Sequence, residues 1–127
     1  MSNRAVISTP NAPEAIGPYS QAIKVGNTIW LSGQIPLVPG TMELVSGAIT
    51  AQAKQVFANL AAVAEAAGGS LNSAVKINIS LTDLADFTAV NEVMASFLQE
   101  PYPARACVQV AALPRGAAIE VEAILVV

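Results

Sequence analysis

The spacing of hydrophobic positions along the chain predicts one long helix and one strand near its middle. Between residues 47 and 67, apolar side chains recur every three or four positions, which is typical of a helix with one buried face. Gly68-Gly69 supplies the left-handed residues that commonly end a helix. Residues 74–81 alternate between apolar and polar, so they predict a strand with one buried side. The helix face is Ile49, Ala53, Val56, Leu60, Val63 and Ala67, with Gln52, Gln55, Asn59 and Glu65 on the remaining surface, and the buried strand side is Val75, Ile77, Ile79 and Leu81.

A β-hairpin and a second helix are predicted on either side of these elements. Residues 21–25 and 28–32 flank Gly26-Asn27, a two-residue sequence typical of hairpin turns. Asp83 is placed to cap a helix that ends before Pro101. The apolar face of that helix is predicted to consist of Leu84, Phe87, Val90, Met94 and Phe97.

The remaining segments predict two strands and two irregular stretches. Residues 104–112 and 119–127 have the composition of strands. Residues 9–18 contain three prolines and are expected to form an extended arm, and residues 33–40 are expected to form an irregular loop. The order hairpin, helix, strand, helix, strand, strand favours an α+β two-layer sandwich, with two helices packed on one face of a mixed sheet.

Length and composition add an expectation about assembly and location. A chain of 127 residues is predicted to form a single domain over residues 1–127. Because 54% of its residues are hydrophobic and only 12% are charged, we expect an obligate homo-oligomer that buries a further apolar face. The alternative is that the excess is largely alanine, which buries little area. No apolar run reaches the roughly 18–20 residues of a membrane span, and the first apolar segment is too short for a secretory signal, so a cytoplasmic protein is expected.

The residue types present limit the possible chemistry. The chain has no histidine and a single cysteine, which excludes histidine relays, histidine metal sites, intramolecular disulfides and Cys-x-x-Cys sites. No metal-binding or cofactor-binding motif is found, so neither is expected. The net charge is -3 and the six Lys and Arg residues are dispersed, which disfavours binding to nucleic acid.

Arg105 is the most informative single residue, because it begins a predicted strand between prolines and a hydrophobic run. Its planar guanidinium can bind a carboxylate or phosphate through two hydrogen bonds, so Arg105 is a candidate anion anchor. An ordinary surface salt bridge is the alternative. Strand alternation puts Cys107 on the same face, where the cation could lower the pKa of the thiol. A small packing residue is the alternative for Cys107.

Glu120 is a candidate general base or water-positioning group, because it is one of few carboxylates and lies within an apolar strand. The alternative is that Glu120 and Glu122 form a polar solvent edge. If residues 104–112 and 119–127 paired as a simple hairpin, Glu120 would lie roughly 17 Å along the strand from the position opposite Arg105. A shared pocket therefore requires a different strand pairing or a neighbouring subunit, and the sequence leaves both open.

Two further segments hold candidate ligand contacts. Tyr19 follows the stiff turn Gly17-Pro18, and Ser32-Gly33 ends a strand where the backbone can approach a ligand closely. The alternatives are turn formation for both segments and a core or rim position for the aromatic ring.

Several short motifs keep their order and spacing over most of the chain. They are Ala15-Ile-Gly-Pro-Tyr-Ser-Gln-Ala, Ser32-Gly-Gln-Ile-Pro, Glu65-Ala-Ala-Gly, Leu81-Thr-Asp-Leu-Ala-Asp-Phe, Val90-Asn, Pro103-Ala-Arg-Ala-Cys-Val, Leu113-Pro and Ile119-Glu-Val-Glu-Ala. In these motifs the chain resembles the RidA (YjgF) family of reactive-intermediate deaminases. The motifs together are far more specific than any one of them.

The resemblance implies a chorismate-mutase-like fold and a homotrimer whose sheets form a central barrel, with ligand clefts between subunits. It also implies hydrolysis of short-lived 2-enamine and 2-imine acids, such as 2-aminoacrylate and 2-aminocrotonate, to 2-keto acids and ammonia. Pyridoxal-phosphate-dependent dehydratases release these substrates. By motif, Arg105 would hold the substrate carboxylate and Glu120 would orient or activate water. Cys107 would line the site, and its walls would be shaped by Tyr19, Ser32, Gly33 and Asn91.

Two positions depart from the pattern of the family. Ala106 stands where serine is frequent, and the segment between the second helix and Pro103 is short. Because that segment borders the expected cleft, it bears on substrate preference. A non-catalytic regulatory trimer that binds small ligands, an endoribonuclease and a chaperone are the alternative functions, and the sparse basic charge disfavours RNA binding.

Overall fold

The computed structural model describes residues 3–127, and in this range six strands form one sheet. The elements are β1 (Arg4–Ile7), β2 (Ala22–Val25), β3 (Thr28–Gln34), α1 (Ile49–Ala66), β4 (Ala74–Leu81), α2 (Phe87–Phe97), β5 (Ala104–Gln109) and β6 (Ile119–Val126). The sheet order is β1-β2-β3-β6-β4-β5, with β4 and β5 parallel and the other neighbours antiparallel. Two helices on a mixed sheet confirm the predicted α+β architecture.

Both helices bury their apolar faces against one side of the sheet. Phe57 of α1 and Val90 of α2 belong to one buried cluster with Ile77 of β4 and Val121 of β6. Burial of a side chain of this size contributes about 1.5–3 kcal/mol, so these contacts are the main force that holds the two layers together. None of the helices within residues 3–127 combines the length and apolar character needed to cross a bilayer.

The predicted hairpin is confirmed, and a strand that the sequence analysis did not predict is added to it. β2 and β3 pair with Val25 opposite Thr28, so Gly26-Asn27 form a two-residue turn in which Gly26 has a φ of 58°. β1 pairs with β2 at the sheet edge. β1 has only four residues and is largely exposed, so its sequence shows little of the alternation between apolar and polar residues that indicates a strand.

The polar residues assigned to the open surface of α1 are partly buried instead. Asn59 is 1% exposed, and its side-chain nitrogen donates to the carbonyl oxygen of Leu37 at 2.9 Å. Gln52 is also buried, and its side-chain oxygen accepts from the backbone N–H of Ala118 at 3.1 Å. The surface assignment was therefore wrong for both, because loops pack over α1 and need partners for their backbone groups.

Two predicted core positions are exposed. Val75 is 47% exposed because the pairing of β4 with β6 shifts register between Ala74 and Lys76. Leu84 is exposed because residues 84–86 form a separate 3₁₀ turn before α2. Asp83 caps that turn rather than α2 itself, by accepting from the backbone N–H of Ala85 at 2.9 Å.

The two C-terminal strands are not hairpin partners. β6 lies between β3 and β4, and β5 pairs with β4 at the edge of the sheet. β5 also ends at Gln109, earlier than the predicted boundary at residue 112. The hairpin register used to estimate the distance between Arg105 and Glu120 is therefore wrong, because β4 lies between β5 and β6.

Replacing Asn59 with alanine is expected to destabilise the fold by about 1–3 kcal/mol, because the buried carbonyl of Leu37 would lose its donor. Urea denaturation followed by circular dichroism measures the change. Lys54→Ala, at an exposed position of the same helix, is the control and should change stability by less than about 0.5 kcal/mol. Equal effects of the two substitutions would contradict the role assigned to Asn59.

Candidate active site

Helix α2 holds the guanidinium of Arg105 at the edge of the sheet. Arg105 aligns with Ile77 of β4, so its side chain leaves the sheet on the helix side. Its Nη1 donates a hydrogen bond to the side-chain oxygen of Asn91, and its Cζ lies 4.9 Å from the centroid of the Phe87 ring. Because Phe87 and Asn91 are one helical turn apart, a single face of α2 fixes the group.

These two contacts leave the charge of Arg105 available to a ligand. Both partners are neutral, and an arginine has five N–H donors, of which one is used by Asn91. The guanidinium opens into a cavity of about 490 Å³. The lining residues are Asn91, Met94, Ala95, Tyr102, Pro103 and Arg105.

Cys107 lies on the same side of β5 as Arg105, opposite Ile79 of β4. It is half-buried and packs against the hydrophobic core. Burial raises the pKa of the Cys107 thiol, and the opposing effect of the Arg105 charge is smaller. A raised pKa keeps the thiol protonated at neutral pH, which favours the packing interpretation over an activated thiolate.

The other predicted residues line a second cleft, of about 540 Å³. It includes Tyr19, Ser32, Gly33 and Glu120. Glu120 aligns with Ser80 of β4 and alternates with the buried residues on either side of it in β6, so it points to the face of the sheet opposite the helices. These four predicted residues therefore lie together in the second cleft.

Gly33 is required by the close approach of Glu120. β3 continues through Gln34, beyond the predicted end at residue 32, and its pairing with β6 is irregular between Leu31 and Gln34. A Cβ atom at position 33 would lie 2.9 Å from Cδ of Glu120. The carboxyl group thus packs directly on the strand backbone, and only a residue without a side chain leaves room for it.

The environment of Glu120 favours its protonated form. Burial raises the pKa of the Glu120 carboxyl group, and the neighbouring charge of Glu122 raises it further. Glu122 itself accepts a hydrogen bond from the side-chain nitrogen of Asn78 at 3.3 Å. A carboxyl group with a raised pKa can both accept and return a proton closer to neutral pH.

The buried side chain of Gln21 holds the arm, residues 9–18, over this cleft. Gln21 was not among the site residues predicted from the sequence. The side-chain nitrogen of Gln21 donates to the carbonyl oxygen of Pro13 at 2.8 Å, and its oxygen accepts from the N–H of Thr9 at 2.7 Å. The hydroxyl of Ser32 donates to the carbonyl oxygen of Ser20 at 2.6 Å. The sequence did contain a signal for this role. Gln21 is a polar residue beside a proline-rich arm, whose backbone groups have few regular partners.

One chain does not bring the two groups of residues together. Arg105 aligns with Ile77 and Ala123, whereas Glu120 aligns with Ser80, so the two are two strands and three residues apart. That offset separates their Cα atoms by roughly 14 Å in an idealised flat sheet and, being odd, turns the side chains to opposite faces. Within residues 3–127, no group of three or more Cys, Asp and Glu side chains is arranged to hold a metal ion.

The fold and these contacts define an α+β sandwich with Arg105 at a cavity on one face of the sheet and Glu120 in a cleft on the other. The model of the family described as Endoribonuclease L-PSP matches residues 9–127. The 2-iminobutanoate/2-iminopropanoate deaminase of Dermatophagoides farinae is 50% identical over 127 residues, covering 100% of this chain and 99% of the relative. The protein of the same name from Mus musculus is 50% identical over 123 residues, covering 97% and 91%.

Solved structures give the same result. RidA from an Antarctic Psychrobacter species matches with a TM-score of 0.94 and 59% identity, over 97% of this chain and 99% of that one. Escherichia coli TdcF with bound serine matches with a TM-score of 0.92 and 42% identity, over 97% and 98%. The chain belongs to the Endoribonuclease L-PSP family, which is the RidA (YjgF) family predicted from its motifs.

Replacing Gly33 with alanine is expected to displace the Glu120 carboxyl group, because the added Cβ would lie only 2.9 Å from its Cδ. Gly33 is not among the glycines with a positive φ, so alanine fits the backbone and the fold should persist. A crystal structure measures the displacement. Gly17→Ala is the control, since its Cβ would meet the Tyr19 ring at an ordinary 3.5 Å. An unmoved Glu120 in Gly33→Ala would contradict the packing argument.

Proposed function

We propose that this protein hydrolyses 2-imine and 2-enamine acids to 2-keto acids and ammonia. The observation that carries the proposal is the guanidinium of Arg105, fixed by neutral partners and open to a cavity. A planar, permanently charged fork held in this way suits substrates that all carry a carboxylate. Relatives that are 50% identical are named 2-iminobutanoate/2-iminopropanoate deaminases, which supports the same substrate class here.

Arg105 would bind the substrate carboxylate through two parallel hydrogen bonds, while Asn91 and Phe87 keep the guanidinium plane in one orientation. This contact places C2, the carbon next to the carboxylate, at a fixed distance from the protein. Imines hydrolyse in water without help, so a large part of the acceleration required is supplied by fixing the reacting carbon near a positioned water.

Glu120 would position that water and carry a proton. Water adds to C2 of the imine, and one of its protons reaches the nitrogen through the Glu120 carboxyl group. The resulting carbinolamine loses ammonia as its hydroxyl proton moves to the departing nitrogen and the C2–N bond breaks. A 2-enamine acid enters the same route after tautomerising to the imine. The raised pKa of Glu120 supports this role, because an acid-base group works best near the operating pH.

In this mechanism the Arg105 cavity and the Glu120 cleft are two half-sites of one active site, which a second subunit must bring together, and the helix-free face of the sheet supports such an assembly. Large apolar side chains are exposed on that face, including Trp30 at 51% exposure. Exposed apolar patches of this kind usually mark an interface. A trimer that places the Arg105 edge of one subunit against the Glu120 cleft of the next would cover this face and close after three copies. Val6, Val108 and Val126 are also exposed on the helix-free face of the sheet.

The same proposal accounts for where the substrates come from. Pyridoxal-phosphate-dependent dehydratases release 2-enamine acids, so we place the protein beside them in the cytoplasm.

An endoribonuclease is disfavoured because the six Lys and Arg residues are dispersed in a chain with a net charge of -3. A regulatory trimer that binds the same acids without hydrolysing them is the remaining alternative, and a rate measurement distinguishes it.

Adding the protein to a threonine dehydratase reaction is expected to accelerate release of 2-ketobutyrate. Arg105→Lys should lose most of this acceleration, because an ammonium group retains the charge but cannot make the two parallel hydrogen bonds. Arg105→Ala should lose all of it, and light scattering should show the same oligomer for the three proteins.

Two outcomes would contradict the proposal. No acceleration by the wild-type protein would leave only the ligand-binding alternative. Near-normal acceleration by Arg105→Lys would show that charge alone, rather than the geometry of the guanidinium, holds the substrate.

Mixing a variant that lacks the Arg105 guanidinium with one that lacks the Glu120 carboxylate tests whether the site is shared between subunits. Arg105→Ala and Glu120→Gln are unfolded together in equal amounts and refolded. If each site takes Arg105 from one subunit and Glu120 from the next, every mixed trimer has one intact site of three, and random mixing restores roughly 25% of wild-type activity. If both residues came from one subunit, no intact site would form and activity would not recover. Wild type mixed with itself controls for refolding losses.

A further inference from the structure

Arg115 has a backbone conformation that is uncommon for a residue with a side chain. Its φ is 61° and its ψ is 19°, and it occupies the middle of the 3₁₀ turn Pro114–Gly116. Left-handed backbone is strained for residues other than glycine, because Cβ approaches the neighbouring carbonyl oxygen. Within residues 3–127, Met42, with a φ of 59°, is the other non-glycine residue in this region.

The surrounding contacts hold the turn in place. The backbone N–H of Gly116 donates to Leu113, and that of Ala117 donates to Pro114, which closes the turn on itself. Ala118, which follows the turn, is held on both sides. Its N–H donates to the buried side-chain oxygen of Gln52 in α1, and its carbonyl oxygen accepts from the N–H of Thr82 at the end of β4. Strain that the surrounding structure maintains in this way is concentrated at functional positions.

The turn contributes Arg115 to the wall of the Glu120 cleft. Of the described residues that line this cleft, three are carboxylates and Arg115 is the one with a cationic side chain. The carboxylates are Glu14, Glu120 and Glu122. Without Arg115 the cleft would present uncompensated negative charge to anything that enters it.

We infer that Arg115 is a specificity residue that admits anionic substrates to the Glu120 cleft. The inference rests on the proposed function, because the 2-imino acids of that reaction carry a carboxylate and would be repelled by the negative charge of the cleft. The positive charge of Arg115 offsets this repulsion while the substrate enters and while it is bound. Arg105 anchors the carboxylate itself, so the two arginines have different tasks.

This division of tasks predicts a particular kinetic signature. A charge at the wall of the cleft acts equally on the bound substrate and on the transition state, so its loss raises KM and leaves kcat nearly unchanged. At low ionic strength, Arg115→Gln should raise KM for the imino acid by about 3-fold to 10-fold. In 1 M salt, where the screening length falls to about 3 Å, most of the difference should disappear.

The experiment compares four variants in the dehydratase-coupled assay. Arg115→Gln removes the charge, and Arg115→Lys keeps it and should have a KM within about 2-fold of wild type. Arg115→Gly removes the charge and also the backbone strain, so it should raise both KM and Tm. Met42→Gly is the matched control, because it relieves the same strain outside the cleft and should raise Tm alone.

The results separate this inference from the proposed function. If the wild-type protein does not accelerate the reaction, the proposed function fails. If the wild-type protein is active and KM of Arg115→Gln is unchanged, or is raised equally at low and high salt, the inference about Arg115 is overturned. A rise in Tm for Arg115→Gly with an unchanged KM would assign the residue to the turn alone, and would also overturn the inference.

Discussion

The hydrogen bonds of β6 to β3 and β4 hold the sheet together, and the arrangement of the site follows from them. By running through the middle of the sheet, β6 joins the N-terminal hairpin to the pair β4 and β5, and it leaves β5 at the edge. Its alternating residues fill the core with one face and present Glu120 and Glu122 with the other. The same strand therefore stabilises the fold and determines on which side of the sheet the acidic group lies.

The two half-sites are built on different physical principles. The guanidinium of Arg105 is oriented by an amide oxygen and an aromatic face, which fix its direction without neutralising its charge. Glu120 is oriented by close packing on the backbone at Gly33, where a side chain of any size would displace it. Burial and a like charge then raise the pKa of Glu120. The guanidinium of Arg105 thus keeps its full charge, and the carboxyl group of Glu120 keeps a proton more readily.

The local periodicity of the sequence predicted the helices, the hairpin and β4, because each of these depends on neighbours a few residues away. Sheet order was not predictable in this way, since the pairing of β6 with β3 joins residues nearly a hundred positions apart. The burial of Asn59 and Gln52 also depends on distant loops, whose backbone groups they satisfy. The family motifs were needed to predict that Tyr19 and Glu120 belong to one site. The strand register of the structure was needed to show that Arg105 lies apart from them in a single chain.

A chain without histidine can support this hydrolysis because the task is divided. In the proposed mechanism, arginine supplies a permanent charge for the carboxylate and glutamate supplies the proton-transfer group, so no imidazole is needed. The division has a structural cost, since the two groups lie on opposite faces of one sheet. In that mechanism each half-site needs the other: among the described residues no carboxylate lines the Arg105 cavity, and in the Glu120 cleft the substrate carboxylate would be anchored by Arg105 of a neighbouring subunit. In the proposed trimer, assembly itself would therefore complete the active site.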